Sequence, residues 1–238
     1  MATKPLIKAL TEAGIGSRRR MTDAIKQGKV KVNGAAAESF NHLVDLAKDH
    51  IQLNGQDVSL QPDTVICLLL NKPVGVVSTT SDEKGRGTVL SILPDNYRRH
   101  RLYPVGRLDI DTTGLLLLTN DGALTYRLTH PKFEYEKEYL VAIKSKMTIQ
   151  EIQQLQRGVP LEDGMSYPAK IREISQPPFN YSVIIHEGKK RQVRRMFEYL
   201  RYHVTALKRI RLGNLTLGNL KEGEVRRLTT KEISALLR

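Results

Sequence analysis

Several features that define common protein classes are scarce in this sequence. It contains a single cysteine, Cys67, among 238 residues, so no disulfide can form within the chain. Six histidines are scattered along the chain and form no zinc-type cluster with that thiol. No apolar run approaches the roughly 18 to 20 residues that cross a bilayer, and the first residues lack the apolar segment of a secretory signal. These absences exclude disulfide scaffolds and thiolate metal sites, and we expect a cytoplasmic protein that binds neither metal nor membrane.

Positive charge, by contrast, is in excess. The chain has 38 Lys and Arg against 25 Asp and Glu, which gives a formal charge of +13 and a pI of about 9.8. With 40% hydrophobic residues, 10 prolines and 17 glycines, the composition is that of a globular protein rather than a disordered or collagen-like one. A polyanion is therefore the expected partner.

The first part of the chain reads as a small unit of its own. We predict a domain over residues 1–60, with two helices followed by short strands, and a larger domain over residues 61–238. Gly14 ends the first helix, and Ser17 caps the second. The stretch 59–63 reads as a linker between the two domains.

Three arginines, Arg18, Arg19 and Arg20, occupy the first turn of the second predicted helix. That position conflicts with the helix macrodipole, which favours negative charge there. A bound phosphate would relieve the conflict, and a solvated basic surface is the alternative. The run from residue 8 to residue 34 resembles the S4-type RNA-binding module of ribosomal and RNA-modifying proteins. The resemblance implies a module that lies against structured RNA, with these arginines touching phosphates.

The remainder of the chain interleaves strands and helices. Residues 65–70 (VICLLL), 114–119 (GLLLLT) and 137–143 (KEYLVAI) are predicted strands. Thr148 and Glu151 have the spacing of a capping box, which predicts a helix with Ile149, Ile152 and Leu155 facing inward. No regular crossover repeat is present, which favours an α+β fold with a mixed, largely antiparallel sheet flanked by helices.

Residues 106–122 (GRLDIDTTGLLLLTNDG) place charged groups directly before a strand of four leucines. A carboxylate next to such an apolar strand is partly desolvated, and a neighbouring cation is needed to keep it ionised. For a lone aspartate in a loop the usual alternative is a turn or cap role, which suits Asp111. Candidate cations are Arg194 and Arg195, on an amphipathic helix in the basic C-terminal third. Because Arg194 directly follows a core position, it can turn inward, and a buried arginine must be paired.

Three segments together carry a family resemblance: residues 70–78 (LNKPVGVVS), 106–122 and 187–196 (EGKKRQVRRM). In these the chain resembles the bacterial ribosomal-RNA pseudouridine synthases that carry an S4-like N-terminal domain, and the resemblance covers nearly the whole length. It implies isomerisation of uridine to pseudouridine without cofactor or metal. The implied partner is ribosomal RNA or a ribosomal assembly particle, and the implied oligomeric state is a monomer.

The resemblance also implies roles for individual residues. Asp109 would be the catalytic aspartate, paired with Arg194, while Tyr139 would stack on the base. Arg107 would help displace the target uridine from its stack. Further RNA contacts are expected from Arg18, Arg19, Arg20, Lys72, Lys190, Arg191 and Arg195. Whether the aspartate attacks the anomeric carbon or abstracts a sugar proton stays open.

Three alternatives remain at this point. Residues 82–94 resemble the large-subunit branch of the family, which we favour, while residues 109–113 also look like the small-subunit branch. A non-catalytic RNA-binding or ribosome assembly protein would explain the charge and the S4-like unit, but not residues 106–122 or Tyr139. A glycosidase acting on a free nucleoside would release uracil and would need no N-terminal module.

Overall fold

The computed structural model describes residues 3–61 and 63–237, and the chain divides into two compact units. The first unit extends to Ile66 and includes residues 99–101 and 120–122, and the second comprises the remainder. This division falls a few residues after the predicted boundary at residue 60.

The segment predicted as a linker, residues 59–63, packs as part of the first unit. Leu60 is buried in the core of that unit, and the Asp63 amide donates to the carbonyl of Glu12 at 3.1 Å. Pro62, within the same stretch, lies outside the described residues. The chain therefore leaves the first unit after this segment and not before it.

The first unit packs two helices against short antiparallel strands. Its elements are β1 (Thr3–Pro5), α1 (Leu6–Glu12), α2 (Arg18–Lys26), β2 (Val30–Val32), β3 (Ala35–Ala36), β4 (Leu43–Asp45), β5 (Ile51–Leu53) and β6 (Gln56–Asp57). Strands β3, β2, β5 and β6 form one sheet in that order, and β1 pairs with β4. The predicted cap is confirmed, since the Ser17 hydroxyl accepts from the Arg20 amide at 3.1 Å.

The second unit is built on one large sheet. Its elements are β7 (Cys67–Lys72), α3 (Asp95–Arg98), β8 (Tyr103–Pro104), β9 (Thr113–Thr119), α4 (Gly122–Thr129), β10 (Lys137–Ile143), α5 (Ile149–Arg157), β11 (Pro160–Leu161), β12 (Gly164–Met165), β13 (Lys170–Gln176), β14 (Phe179–Ile185), α6 (Gln192–Tyr199), β15 (Val204–Leu212), β16 (Leu215–Thr216), β17 (Val225–Arg227) and α7 (Thr230–Leu236). The central order is β13-β14-β10-β15-β9-β7-β17. Of the strand pairs described, β15 with β9 is parallel and the others in this sheet are antiparallel, which confirms the predicted fold class. None of the helices described is long and apolar enough to cross a membrane.

One local prediction in this unit is wrong in detail. The capping box of Thr148 and Glu151 is confirmed, but Ile149 is 75% exposed instead of facing inward. Six residues at about 100° each separate it from the buried Leu155, so the two side chains point about 120° apart.

The pairing of β9, β15 and β10 positions the candidate site. Arg209 on β15 is the register partner of both Gly114 on β9 and Tyr139 on β10. The strands approach so closely at Gly114 that a Cβ there would lie 2.2 Å from the Arg209 carbonyl oxygen. Its φ of +102° is also one that L side chains rarely adopt, so glycine is required.

Candidate active site

A cavity of about 540 Å³ lies in the second unit, a volume within the usual range for small-ligand pockets. Its walls come from the loop before β9, the end of α4, strands β10 and β15, and the segment that leads into α6. Asp109 and Tyr139, predicted to act together, both line it. The structure therefore brings together residues that are well separated in sequence.

Asp109 lies in the loop between β8 and β9. Its carbonyl accepts from the Thr112 amide at 3.0 Å, which closes a tight turn. The preceding residue, Leu108, is held at both backbone polar groups by the Ser78 hydroxyl, at 2.8 and 3.1 Å. The Asp109 side chain is 31% exposed, and its Oδ2 lies 4.0 Å from Nη1 of Arg191. The backbone that carries the carboxylate is thus fixed, and the carboxylate faces a cation.

Arg194 does turn inward, but the predicted ion pair with Asp109 is wrong. Its Nη2 lies 3.3 Å from Oδ2 of Asp111 and donates to the Asp111 carbonyl at 2.9 Å, while Nη1 donates to the Val204 carbonyl at 2.8 Å. Burial lowers the pKa of the Arg194 guanidinium, and the Asp111 carboxylate opposes that shift more than the Asp109 carboxylate does. The tight turn presents Asp111 rather than Asp109 to this helix.

Asp111 lies in the turn, the role that the sequence analysis favoured for it. Its carboxylate also contacts two guanidinium groups. Arg191 Nη1 lies 3.2 Å from Asp111 Oδ2, beside the contact from Arg194. Asp111 therefore fixes both arginines relative to the loop that carries Asp109. Arg191, predicted as an RNA contact, lies near the Asp109 carboxylate, where Arg194 was predicted.

Lys72 was predicted to contact RNA, and the structure contradicts this. Its side chain is fully buried, and Nζ donates to the carbonyls of Pro73 and Thr112 at 2.8 and 2.9 Å. Burial lowers the pKa of Lys72 to about 8, against the opposing influence of nearby carboxylates. An ammonium enclosed in this way ties β7 to the start of β9 and cannot reach a phosphate.

The other predicted RNA contacts fall into distinct settings. Arg107 and Lys190 are exposed and line the cavity. Arg195 is held away from the cavity by two hydrogen bonds to Asp163, at 2.8 and 3.0 Å. In the first unit, Arg18, Arg19 and Arg20 are exposed in the first turn of α2, which has no acidic residue.

Two cations that the sequence analysis did not single out also line the cavity. Lys137 donates to the carbonyls of Tyr135 and His186 at 2.9 and 3.2 Å. Burial, and next the charge of Arg209, lower its pKa to about 8. Arg209 is 3% exposed, and its Nε donates to the Leu115 carbonyl at 2.7 Å, whereas its buried Nη2 has no hydrogen-bond partner among the described residues.

A signal for both cations was present in the strand pattern. Lys137 precedes Tyr139 by two residues, and Arg209 follows the buried Leu207 by two, so each shares a strand face with an inward residue. A charged residue at an inward position of a strand is a candidate for a site.

Comparison with known proteins agrees with this geometry. The family model described as RNA pseudouridylate synthase matches residues 66–199, and the S4 domain model matches residues 4–51. The chain is 40% identical over 235 residues to the ribosomal large subunit pseudouridine synthase B of Bacillus subtilis, covering 97% of this chain and 94% of the relative. It is 36% identical to the dual-specificity RNA pseudouridine synthase RluF of Salmonella typhi, covering 98% of this chain and 78% of that protein.

A solved structure extends the likeness to three dimensions. The crystal structure of a pseudouridylate synthase superimposes with a TM-score of 0.69 at 34% identity, covering 97% of this chain and 98% of that one. Sequence, fold and the two family models thus agree along both units. The chain belongs to the RNA pseudouridylate synthase family, in the branch that carries an N-terminal S4 domain.

Proposed function

We propose that this pseudouridine synthase acts on large-subunit ribosomal RNA and that Asp109 is its catalytic group. The observation that carries the assignment is the position of the Asp109 carboxylate, fixed in a tight turn and lining the same cavity as Tyr139. The choice of RNA rests on the relatives named large subunit pseudouridine synthase B and on the S4 domain.

The reaction leaves the net composition of the RNA unchanged. The bond from ribose C1′ to uracil N1 breaks, the ring turns, and C1′ bonds to C5, while the proton from C5 is lost and one is gained at N1. An ionised Asp109 supplies the needed group, either by attacking C1′ or by taking a sugar proton to begin elimination. Both routes require a negative carboxylate, and Arg191 Nη1 lies 4.0 Å from Asp109 Oδ2.

The detached uracil must stay in place while it turns. Tyr139 lines the cavity and offers a ring on which the base can stack. Lys137 and Arg209 bring positive charge to the same cavity, which stabilises the negative charge that uracil carries after the glycosidic bond breaks. Because these groups are held by backbone carbonyls, they need little reorganisation during the reaction.

A paired uridine cannot present its ribose to Asp109, so it must be extruded, at a cost of about a few kcal/mol. Arg107 is exposed on the cavity wall, where its side chain can fill the space that the uridine leaves. Phosphate contacts from Arg18, Arg19 and Arg20 would add affinity that falls steeply with salt. With a ribosomal RNA substrate we also propose that the protein acts in the cytoplasm, as a monomer.

Mapping of pseudouridines tests the choice of substrate. Ribosomal RNA from cells with and without the gene is treated with carbodiimide, which marks pseudouridine and stops reverse transcription. We expect one or a few stops in large-subunit RNA that vanish on deletion and return with the wild-type gene but not with Asp109→Asn. Loss of stops in small-subunit RNA alone would assign the other branch, and no change in any stop would leave a non-catalytic assembly protein.

A further inference from the structure

Three aromatic rings gather where α4 ends, outside the set of residues used above. We call Tyr126, His130 and Phe133 the aromatic cluster. The Tyr126 and His130 rings have centroids 4.7 Å apart, and Phe133 meets Tyr126 edge-on at 5.8 Å. The His130 amide donates to the Tyr126 carbonyl at 2.9 Å, so the last helical turn places the two rings on one face.

Two cations lie over these rings. Lys132 Nζ is 5.2 Å from the Tyr126 centroid and 4.8 Å from that of Phe133, and Arg127 Cζ is 5.0 Å from Phe133. Lys132 is exposed and forms no ion pair with any carboxylate in the described part of the chain. Cation–π contacts at exposed sites are weak, so its flexible side chain can move to an incoming phosphate and uncover the ring.

The aromatic cluster is open to solvent and continuous with the cavity. Tyr126 is 48% exposed, whereas a ring that only filled the core would be buried. His130 and the neighbouring Pro131 line the cavity that Asp109 also lines. Exposed aromatic rings interleaved with cations are the surface on which unpaired nucleic acid bases stack.

We propose that the aromatic cluster is a stacking site for an unpaired base that flanks the target uridine, with Lys132 contacting the adjoining phosphate. The proposal rests on the RNA modification proposed above. Its occupant is a nucleotide of the substrate RNA, because the cluster is cationic and adjoins the cavity that receives the uridine. Stacking there would hold the strand next to the flipped nucleotide and contribute to site choice.

Kinetics with a matched pair of variants test this site. Tyr126→Ala removes an exposed ring of the cluster, and Tyr199→Ala removes a tyrosine of similar exposure, 45%, on α6 and outside the cavity lining. We expect KM for the RNA to rise about tenfold in Tyr126→Ala, which corresponds to about 1.4 kcal/mol, with kcat little changed. Tyr199→Ala should match the wild type. An unchanged KM in Tyr126→Ala overturns the proposal, whereas failure of the wild-type protein to form any pseudouridine overturns the proposed function instead.

A fluorescent reporter gives a reading that does not depend on turnover. The chain contains no tryptophan, so Tyr126→Trp introduces a single tryptophan, which can be excited selectively over tyrosine and keeps an aromatic ring in the cluster. We expect its emission to be quenched by substrate RNA, and less so by an RNA with an abasic flanking nucleotide. Equal quenching by both RNAs, or equal quenching in Tyr199→Trp, contradicts stacking at this site.

Discussion

Replacing Arg194 with methionine should reveal its structural role. The guanidinium is 6% exposed and donates to the Val204 and Asp111 carbonyls. Hydrogen bonds from a charged donor contribute about 1.5–3 kcal/mol each. The contact with the Asp111 carboxylate adds little because that side chain is 41% exposed. Nε has no hydrogen-bond partner among the described residues, so its removal offsets part of the loss. We expect Arg194→Met to lower the free energy of unfolding by about 2–3 kcal/mol.

Urea denaturation followed by circular dichroism measures this change. With a slope of about 2–3 kcal/mol per M, the midpoint should fall by about 1 M. The neighbouring Arg195 is the matched control, because its partner Asp163 is 46% exposed and the pair lies outside the cavity. Arg195→Met should cost less than about 1 kcal/mol. If the two variants lose the same stability, Arg194 does not hold the loop in the way described.

Three further outcomes follow from the structure. Gly114→Ala places a Cβ 2.2 Å from a carbonyl oxygen at a φ of +102°, so it should destabilise the protein by more than about 3 kcal/mol in thermal unfolding, whereas Gly188→Ala, with open space around it, should not. The folded-state pKa of Lys72 is about 8, below its unfolded value, so the protonated group destabilises the folded protein at low pH. The free energy of unfolding relative to that of Lys72→Met should therefore rise between about pH 8 and pH 10.5, by at most about 1.4 kcal/mol per pH unit. A difference that does not change with pH contradicts the buried ammonium. Changing Arg18, Arg19 and Arg20 together to alanine should reduce the slope of log Kd against log salt by about two to three, and an unchanged slope means that these residues touch no phosphate.

Local sequence signals predicted most of the fold. The capping box at Thr148 and the apolar strands depend on neighbours within a few residues. The capping box was found where expected, and the strands β7 and β9 begin and end within two residues of their predicted bounds. The parallel pairing of β9 with β15 is different, because it joins residues nearly a hundred positions apart. Nothing local specifies that Gly114 must face Arg209, although the glycine leaves room for that approach.

The members of the site were predictable in part, and their contacts were not. The family resemblance implied one site for Asp109 and Tyr139, and both line one cavity, but Lys137 and Arg209 were missed. The partner of Arg194 depended on which of two nearby carboxylates the turn presents. Lys72 looked like a surface cation at the end of a strand. Its burial depends on the carbonyl of Thr112, which a distant part of the chain supplies.

A single-turnover reaction on an RNA fragment that contains the mapped uridine tests the role of Asp109 most directly. Digested product is separated by chromatography, so that pseudouridine and any free uracil are both measured. We expect Asp109→Asn to be at least about a thousandfold slower than the wild type while binding the RNA with similar affinity. Asp95→Asn, a change at a 95% exposed carboxylate, should remain fully active. Substantial pseudouridine formation by Asp109→Asn would contradict its role as the catalytic group.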